Sequence, residues 1–292
     1  MAEHLVAVLG RGVVSDDEPV VHADDLGFAR GDGCFDSALL LCDEDGARVV
    51  NLAEHLDRLA ASASRLEIDG PPRQAWEELV EQALEAWRQP GPATMKFILT
   101  RGREWDPDSG PLALLTISPR KASSVRPSSG GDPVVRGLRA VTLSTGRPSD
   151  AFARAPWLLG GVKTLSYVVN SAAAREARRR GADDAIFVST DGFALDGPTS
   201  GLVVVSDGVL RTAPTGDTGI LASVTVDRIM DAASAAGWTT RVELVPVDDL
   251  FVADGVCLVS SSRGPSPIVE LDGRPLRVDA ELTAAIMRFA GF

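Results

Sequence analysis

The sequence predicts two α/β domains, and three observations carry that prediction. Strand-like and helix-like segments alternate along the chain, a Pro-, Ser- and Gly-rich stretch interrupts them at residues 119–133, and 292 residues are enough for one large or two ordinary cores. Apolar residues make up 45% and charged residues 24%, as in an ordinary globular protein. A net charge of −12 argues against a general nucleic-acid binder, which needs a basic face, but leaves room for an anionic small molecule held by local arginines. Cys34, Cys42 and Cys257 are scattered and share no metal spacing, so a reducing cytoplasm without a disulfide framework is expected, and no metal. The segment "MAEHLVAVLGRGVV" has no basic region ahead of a long apolar core, and no apolar run reaches bilayer length, so neither a signal peptide nor a membrane span is expected.

The elements follow in order. "LVAVLG" is strand-like, and "GDGCFDSALLLCDEDGARVVNL" contains two strands around the turn "DEDG". "NLAEHLDRLAASASRLEI" changes to helical spacing, with Leu52, Leu56, Leu59 and Leu66 on one face and Asn51 as N-cap. "PRQAWEELVEQALEAW" is a second amphipathic helix, and "ATMKFILTRG" and "LALLTIS" are strands. We expect an N-terminal domain over 1–120, a linker over 121–135 and a C-terminal domain over 136–292. In the latter, "RAVTLST" is a strand and 166–180 a helix, from Ser166 to Gly181. "DDAIFVSTDGFALDGPTSGLVVVSDGVLRTA" predicts three strands with turns at "TDG" and "SDG". "ILASVTVDRIMDAASAAG" is a loop leading into a helix, "TTRVELVPV", "VCLVSSS" and "SPIVELDGRPL" are strands, and "DAELTAAIMRFAGF" is a closing helix.

One residue stands out. The chain has only three lysines, Lys96, Lys121 and Lys163, against 26 arginines, and Lys163 follows the apolar and glycine run "PWLLGGV". Such a lysine either snorkels, burying its stem and keeping its ammonium wet, or serves as a nucleophilic amine made easier to deprotonate by lost solvation. Arginine cannot do the second, because it stays protonated.

The order of motifs around it, "VKTLSYVVNSAAAREARRRGADDAIFVSTDGFALDGPTSGLVVV", with "RGDGCFDSALL" and "EHLDRLAASA" upstream, resembles the fold-type IV enzymes dependent on pyridoxal 5′-phosphate (PLP). This class IV aminotransferase family includes branched-chain and D-amino acid aminotransferases and aminodeoxychorismate lyases. Within it the chain looks most similar to actinobacterial aminodeoxychorismate lyases. The resemblance implies a two-domain α+β or α/β fold like that of D-amino acid aminotransferase, with the PLP lysine in the C-terminal domain. It assigns Lys163 as the amine that bonds PLP and moves the proton, Tyr167, the only tyrosine, to the phenolic oxygen, and Arg58 to the phosphate. Asp196, where the family usually has glutamate, is assigned to the pyridine nitrogen. Ser223, Val224 and Thr225, in a turn that usually reads "PGIT", and Ser261 are assigned to the phosphate. Gly201 stands where asparagine is common, and Ser223 replaces a glycine. The bland alternatives are a half-buried core aromatic on a helix for Tyr167 and a solvated helix face for Arg58, and the lysine favours the cofactor role for Tyr167.

The resemblance further implies a lyase that converts 4-amino-4-deoxychorismate to 4-aminobenzoate and pyruvate, a step of folate biosynthesis. An aminotransferase of branched-chain or D-amino acids, or a non-catalytic descendant of the fold, are the alternatives. A substrate with two carboxylates calls for cations, and Arg30, Arg101 and Arg103 are expected to supply them; as plain surface charges they would do nothing. Arg101 has no evident partner in its own chain, and its loop in some members reaches the neighbouring subunit, so a homodimer is expected. Ser37 matches a Thr or Ser near the substrate in such lyases, where its hydroxyl would assist Lys163.

Overall fold

The computed structural model of the chain describes residues 3–43, 46–120, 125–127, 133–135 and 137–292. It divides into two compact units, Met1–Lys121 with Val162–Tyr167, and Ala122–Gly161 with Val168–Phe292.

The first unit is built on a six-stranded sheet in the order Gly12–Val14, Leu5–Val8, Ala113–Pro119, Ala93–Thr100, Gly33–Asp43 and Gly46–Val49. All of its pairings are antiparallel. This makes the unit α+β rather than the α/β arrangement read from the alternation of segments. Helix Leu52–Arg65 turns His55, Leu56, Leu59, Ser62 and Ala63 inward, a stripe at helical spacing that packs on Gly33–Asp43. Helix Arg73–Ala86 packs on the strands at the other edge and sets Trp76 edge-on against Phe97, ring centroids 5.7 Å apart. Asn51 holds the N-cap position as expected, but in the left-handed conformation and without a side-chain capping bond.

Among the elements that escape the sequence reading are a strand and a short helix of this unit. Strand Gly12–Val14 is only three residues long. The short helix Leu26–Arg30 has little apolar periodicity but clear ends, since the Asp25 carboxylate accepts from the Gly27 and Phe28 N–H groups and left-handed Gly31 closes it. The turn "DEDG" spans residues 44 and 45, which lie outside the described residues.

The second unit contains a ten-stranded mixed sheet. Its main path runs Thr239–Val242, Val209–Thr212, Gly201–Ser206, Gly255–Ser260, Gly264–Leu271, Leu138–Ser144, Asp184–Val188, Phe193–Ala194 and Val245–Pro246, with Arg274–Pro275 paired to Gly264–Leu271. Parallel pairs lie at Val209–Thr212 with Thr239–Val242 and on both sides of Leu138–Ser144. One apolar cluster gathers Ile186, Leu202, Leu258 and Ile268; a second places Ile229 and Ile286, from the mutually packed helices Val224–Ala235 and Ala280–Ala290, against Val203 and Cys257. The two faces alternate along Gly201–Ser206, which is why that strand reads as a continuous apolar run.

Three predicted strands are each divided, and "SPIVELDGRPL" becomes Gly264–Leu271 and Arg274–Pro275, paired antiparallel with each other. "FALDGPTSGLVVV" stops at Ala194 and resumes at Gly201, because Gly197 N–H donates to the Ser200 carbonyl at 2.7 Å and Pro198 has no N–H for a ladder. "TTRVELVPV" becomes Thr239–Val242 at one edge of the sheet and Val245–Pro246 at the other. The helix expected over 166–180 spans Val168–Arg179, and Ser166 instead donates its hydroxyl to the Gly31 carbonyl at 3.3 Å. The expected linker over 121–135 falls largely outside the described residues; within it Val125–Pro127 and Pro133–Val135 pair antiparallel. Lys163, assigned to the C-terminal domain by its position in the sequence, groups with the first unit, because backbone hydrogen bonds tie its segment to strand Gly33–Asp43.

Candidate active site

Lys163 lies on an extended segment running beside the start of strand Gly33–Asp43. Phe35 N–H donates to the Lys163 carbonyl at 3.0 Å and Leu165 N–H to the Gly33 carbonyl at 2.8 Å, which places Thr164 opposite Cys34 as an isolated bridge. Lys163 N–H donates to the Ser62 hydroxyl at 3.3 Å. Gly33 has to be glycine, since a Cβ there would lie 2.5 Å from the Leu99 carbonyl oxygen and 2.7 Å from Leu165 Cδ1. The half-buried side chain directs its ammonium at two rings: Nζ is 4.5 Å from the Phe35 centroid and 5.4 Å from that of Tyr167. These rings meet edge-to-face, 5.1 Å apart at 87°. Tyr167 is therefore the half-buried aromatic that either reading allowed, and it lies beside the lysine.

Ser37 is two residues beyond Phe35 and so shares its face of the strand. It pairs in register with Lys96, whose Nζ lies 5.2 Å from the same Phe35 ring. Two of the three lysines thus meet one phenyl ring, a convergence invisible in the sequence because Phe35 and Lys96 are 61 positions apart.

Arg58 is mostly buried and forked on Asp36, with Nε donating to Oδ2 at 2.7 Å and Nη2 to Oδ1 at 2.8 Å. Asp36 is fully buried, and its Oδ1 also accepts from Ser37 N–H at 2.7 Å and lies 2.8 Å from His55 Nδ1. Burial pushes its carboxyl group up, but the hydrogen bonds from Arg58 and His55 outweigh that and hold its pKa at about 2. An ionised carboxylate can only accept, so His55 Nδ1 carries a proton. The 3.5 Å approach of Arg58 Nη2 to that nitrogen is then a contact between two donors. Sequence reasoning missed Asp36 and His55, although an aspartate amid the apolar strand residues "CFDSALL", with His and Arg three apart on a helix, was the available signal.

The three substrate-site arginines are each engaged by acidic groups. Arg30 pairs with Glu104 at 2.7 Å, and Arg103 with Asp24 at 3.2 Å and Asp106 at 3.4 Å. Arg101 does have partners in its own chain: it donates to Asp32 at 2.7 Å and to the Leu66 and Glu67 carbonyls at 2.6 and 3.1 Å.

The second unit carries the remaining candidates. Ser223 caps helix Val224–Ala235, its hydroxyl accepting from Val226 N–H at 3.3 Å. The N–H groups of Val224 and Thr225 lie in the first turn, where no helical carbonyl can take them. The buried Thr225 hydroxyl and the Ser261 hydroxyl are 2.9 Å apart. Helix-start donors and paired hydroxyls form a donor set suited to a phosphate. A Cβ on Gly201 would stand 2.6 Å from Val226 Cγ2 and 3.2 Å from Ser223 Cβ, so an asparagine has no room there. Two of the three departures from the family pattern, Gly201 and Ser223, are thus neighbours, and a side chain at 201 would press on Ser223. Half-buried Asp196 follows strand Phe193–Ala194, and its carbonyl accepts from Phe187 N–H at 2.7 Å. The "GG" ahead of Lys163 has a steric origin in part: a Cβ on Gly160 would meet Phe152 Cδ1 at 2.4 Å.

Comparison with known proteins is consistent with this arrangement. Residues 33–271 match the family described as "Amino-transferase class IV". The bifunctional aminodeoxychorismate lyase / D-amino acid transaminase of Mycobacterium tuberculosis is 36% identical over 281 residues, covering 93% of each chain. Among solved structures, a fold IV-transaminase from Curtobacterium pusillum superposes with a TM-score of 0.87 at 37% identity, covering 98% of both chains. The PLP-bound form of a hypothetical aminotransferase from Mycobacterium tuberculosis gives 0.88 at 35%, with the same coverage. The chain belongs to the class IV aminotransferase family. It is an enzyme of that family, with the two-domain α+β fold, and PLP is its cofactor. The amine, carboxylate and helix-start donors described above are chemically suited to that group. Among the described residues no helix is long and apolar enough to cross a membrane.

Two predictions follow from this geometry. Asp36 has its pKa lowered on folding, so its contribution to stability is present above the ordinary carboxylate range, near pH 4, and is lost as pH falls toward 2. The stability difference between the parent and Asp36→Asn, from denaturant unfolding, should therefore shrink by about 2 kcal/mol between pH 5 and pH 2. Gly201→Ala should cost about 1–3 kcal/mol through its clash with Val226. Adding Val226→Ala should recover part of that loss in the same unfolding assay, and adding Ser223→Gly should recover less.

Proposed function

We propose that this enzyme is a lyase that converts 4-amino-4-deoxychorismate to 4-aminobenzoate and pyruvate. The observation that carries the reading is the placement of Ser37 on the strand face shared with Phe35, the ring under the Lys163 ammonium. A hydroxyl on the same strand face as the ring that the base overlies fits a reaction in which one group must take a proton from carbon and pass it on. The Mycobacterium tuberculosis relative, named for both a lyase and a D-amino acid transaminase activity, supports the assignment. It equally supports transfer of an amine to a keto acid, and we keep that as the second reading.

The residues divide the work as follows. Arg58, the Val224 and Thr225 N–H groups and the Ser223, Thr225 and Ser261 hydroxyls would hold the cofactor phosphate. Tyr167 would bond its phenolic oxygen, and the Asp196 carboxylate would keep its ring nitrogen protonated. Bound in this way, the cofactor supplies an electron sink for the pair released when a substrate C–H bond breaks. The Lys163 amine takes that proton from the amine-bearing carbon, and the Ser37 hydroxyl relays it as the enolpyruvyl group departs as pyruvate and the substrate ring becomes aromatic. Lys96, beside Ser37, adds a cation for a substrate carboxylate. Arg30, Arg101 and Arg103 contribute only by exchanging an acidic neighbour for substrate.

We also propose a homodimer, supported by the exposed Phe28 and Trp105, large apolar side chains that a second copy would cover. The cytoplasm is the proposed compartment, consistent with three free cysteines.

The deciding assay supplies 4-amino-4-deoxychorismate without any keto acid. The parent should release 4-aminobenzoate and pyruvate in equal amounts, and Lys163→Ala should release neither. Turnover that appears only with added keto acid assigns the aminotransferase. Borohydride reduction followed by peptide mapping should place the pyridoxyl group on Lys163, and an adduct on Lys96 would move the amine. Asp196→Asn should keep binding PLP, seen by its visible absorbance, while turnover falls about 10²–10³-fold at saturating cofactor. Turnover within a few-fold of the parent would reduce Asp196 to a turn residue.

A further inference from the structure

We infer that Asp36, held by His55, is a positioning residue that aims the Arg58 guanidinium at the cofactor phosphate. The inference rests on the reading that Arg58 contacts that phosphate.

The geometry supports orientation rather than charge supply. A carboxylate next to an arginine offsets the charge that attracts a phosphate, so Asp36 is poorly placed to strengthen the grip through charge alone. What it does is fix a plane. The Nε–Nη2 edge of Arg58 is forked on the two oxygens of Asp36 at 2.7 and 2.8 Å, and because a guanidinium is planar this fork sets the direction of the Nη1 end, away from the carboxylate. The carboxylate is fixed in turn. It sits on the central part of strand Gly33–Asp43 with no exposure, and His55 Nδ1–H and Ser37 N–H donate to its Oδ1 at 2.8 and 2.7 Å. His55 is also fully buried, one turn before Arg58 on helix Leu52–Arg65, so strand and helix are locked at the same point. Its Nε2 has no protein partner among the described residues. A histidine used for packing alone would not be expected to leave a ring nitrogen buried and unbonded; the Nδ1 bond is the interaction that accounts for its place. With its pKa held at about 2, Asp36 is ionised at neutral pH, so the fork does not open by protonation there.

The alternative is a purely structural cross-link between strand and helix, and a pair of ligands separates the two. The cofactor-free full-length protein is titrated with PLP and with pyridoxal, which lacks the phosphate, and the ratio of the two Kd values is read from absorbance. A residue that orients the phosphate contact changes this ratio, whereas a structural one weakens both ligands alike. Asp36→Asn should lower PLP affinity about 10–100-fold, the range for loss of a charge-assisted hydrogen bond, with pyridoxal affinity within about twofold of the parent. Asp36→Glu, which keeps the charge, should retain more of the ratio than Asp36→Asn. His55→Gln should reduce the ratio by a smaller factor. An unchanged ratio in folded Asp36→Asn overturns the inference. Where Asp36→Asn does not fold, an unchanged ratio in both Asp36→Glu and His55→Gln overturns it instead. Arg58→Gln tests the underlying reading separately: if it leaves the ratio at the parent value, Arg58 does not bind the phosphate, and that reading fails rather than the geometry around Asp36.

Discussion

The site depends first on two backbone hydrogen bonds. Phe35 N–H to the Lys163 carbonyl and Leu165 N–H to the Gly33 carbonyl attach an extended loop segment to a strand of the first unit as though it were a further, very short strand. A reactive amine on a four-carbon stem has many rotamers, and its usefulness as a base depends on where its backbone is held. Here the backbone is fixed in register, and the ammonium lies over two aromatic rings that meet edge-to-face. The glycine at position 33 is part of the same constraint, because a side chain there would push Leu165 away.

Everything around that attachment is arranged on strand Gly33–Asp43 by the alternation of a pleated strand. Phe35 and Ser37 face one side, and Asp36 faces the other, toward helix Leu52–Arg65, where His55 and Arg58 meet it. One strand thus serves the lysine with one face and the arginine with the other. The buried ion pair fits what burial demands of charge, since each oxygen of Asp36 is satisfied by a donor and the cation is forked rather than left alone.

The second unit solves a different problem, presenting donors to an anion, by means of a helix end. Ser223 caps helix Val224–Ala235, and the next two N–H groups are left to an outside acceptor. The space at Gly201 is tight, because a Cβ there would meet Val226 at 2.6 Å and Ser223 at 3.2 Å.

How much of this was legible in the sequence depends on the range of the interaction. The chain order of motifs identified the family and the cofactor, because those are carried by residue type and local spacing, and it is the basis on which Lys163 is expected to be the reactive amine. Most elements were legible too, since the amphipathic helix 52–65 and the apolar strands repeat over a few residues. What the sequence did not determine were the pairings between distant residues. The partners of Arg58 and Arg101, 22 and 69 positions away at Asp36 and Asp32, were unreadable, and so were the convergence of Lys96 and Lys163 on Phe35 and the packing of Val162–Tyr167 with the first unit. The break in "TTRVELVPV" was missed for the same reason, because Thr239–Val242 and Val245–Pro246, two residues apart in the chain, find partners at opposite edges of one sheet. Local spacing fixes which face of an element is apolar, while the register that brings two elements together is set by burial and hydrogen bonding across the whole fold, and only the tertiary structure decides it.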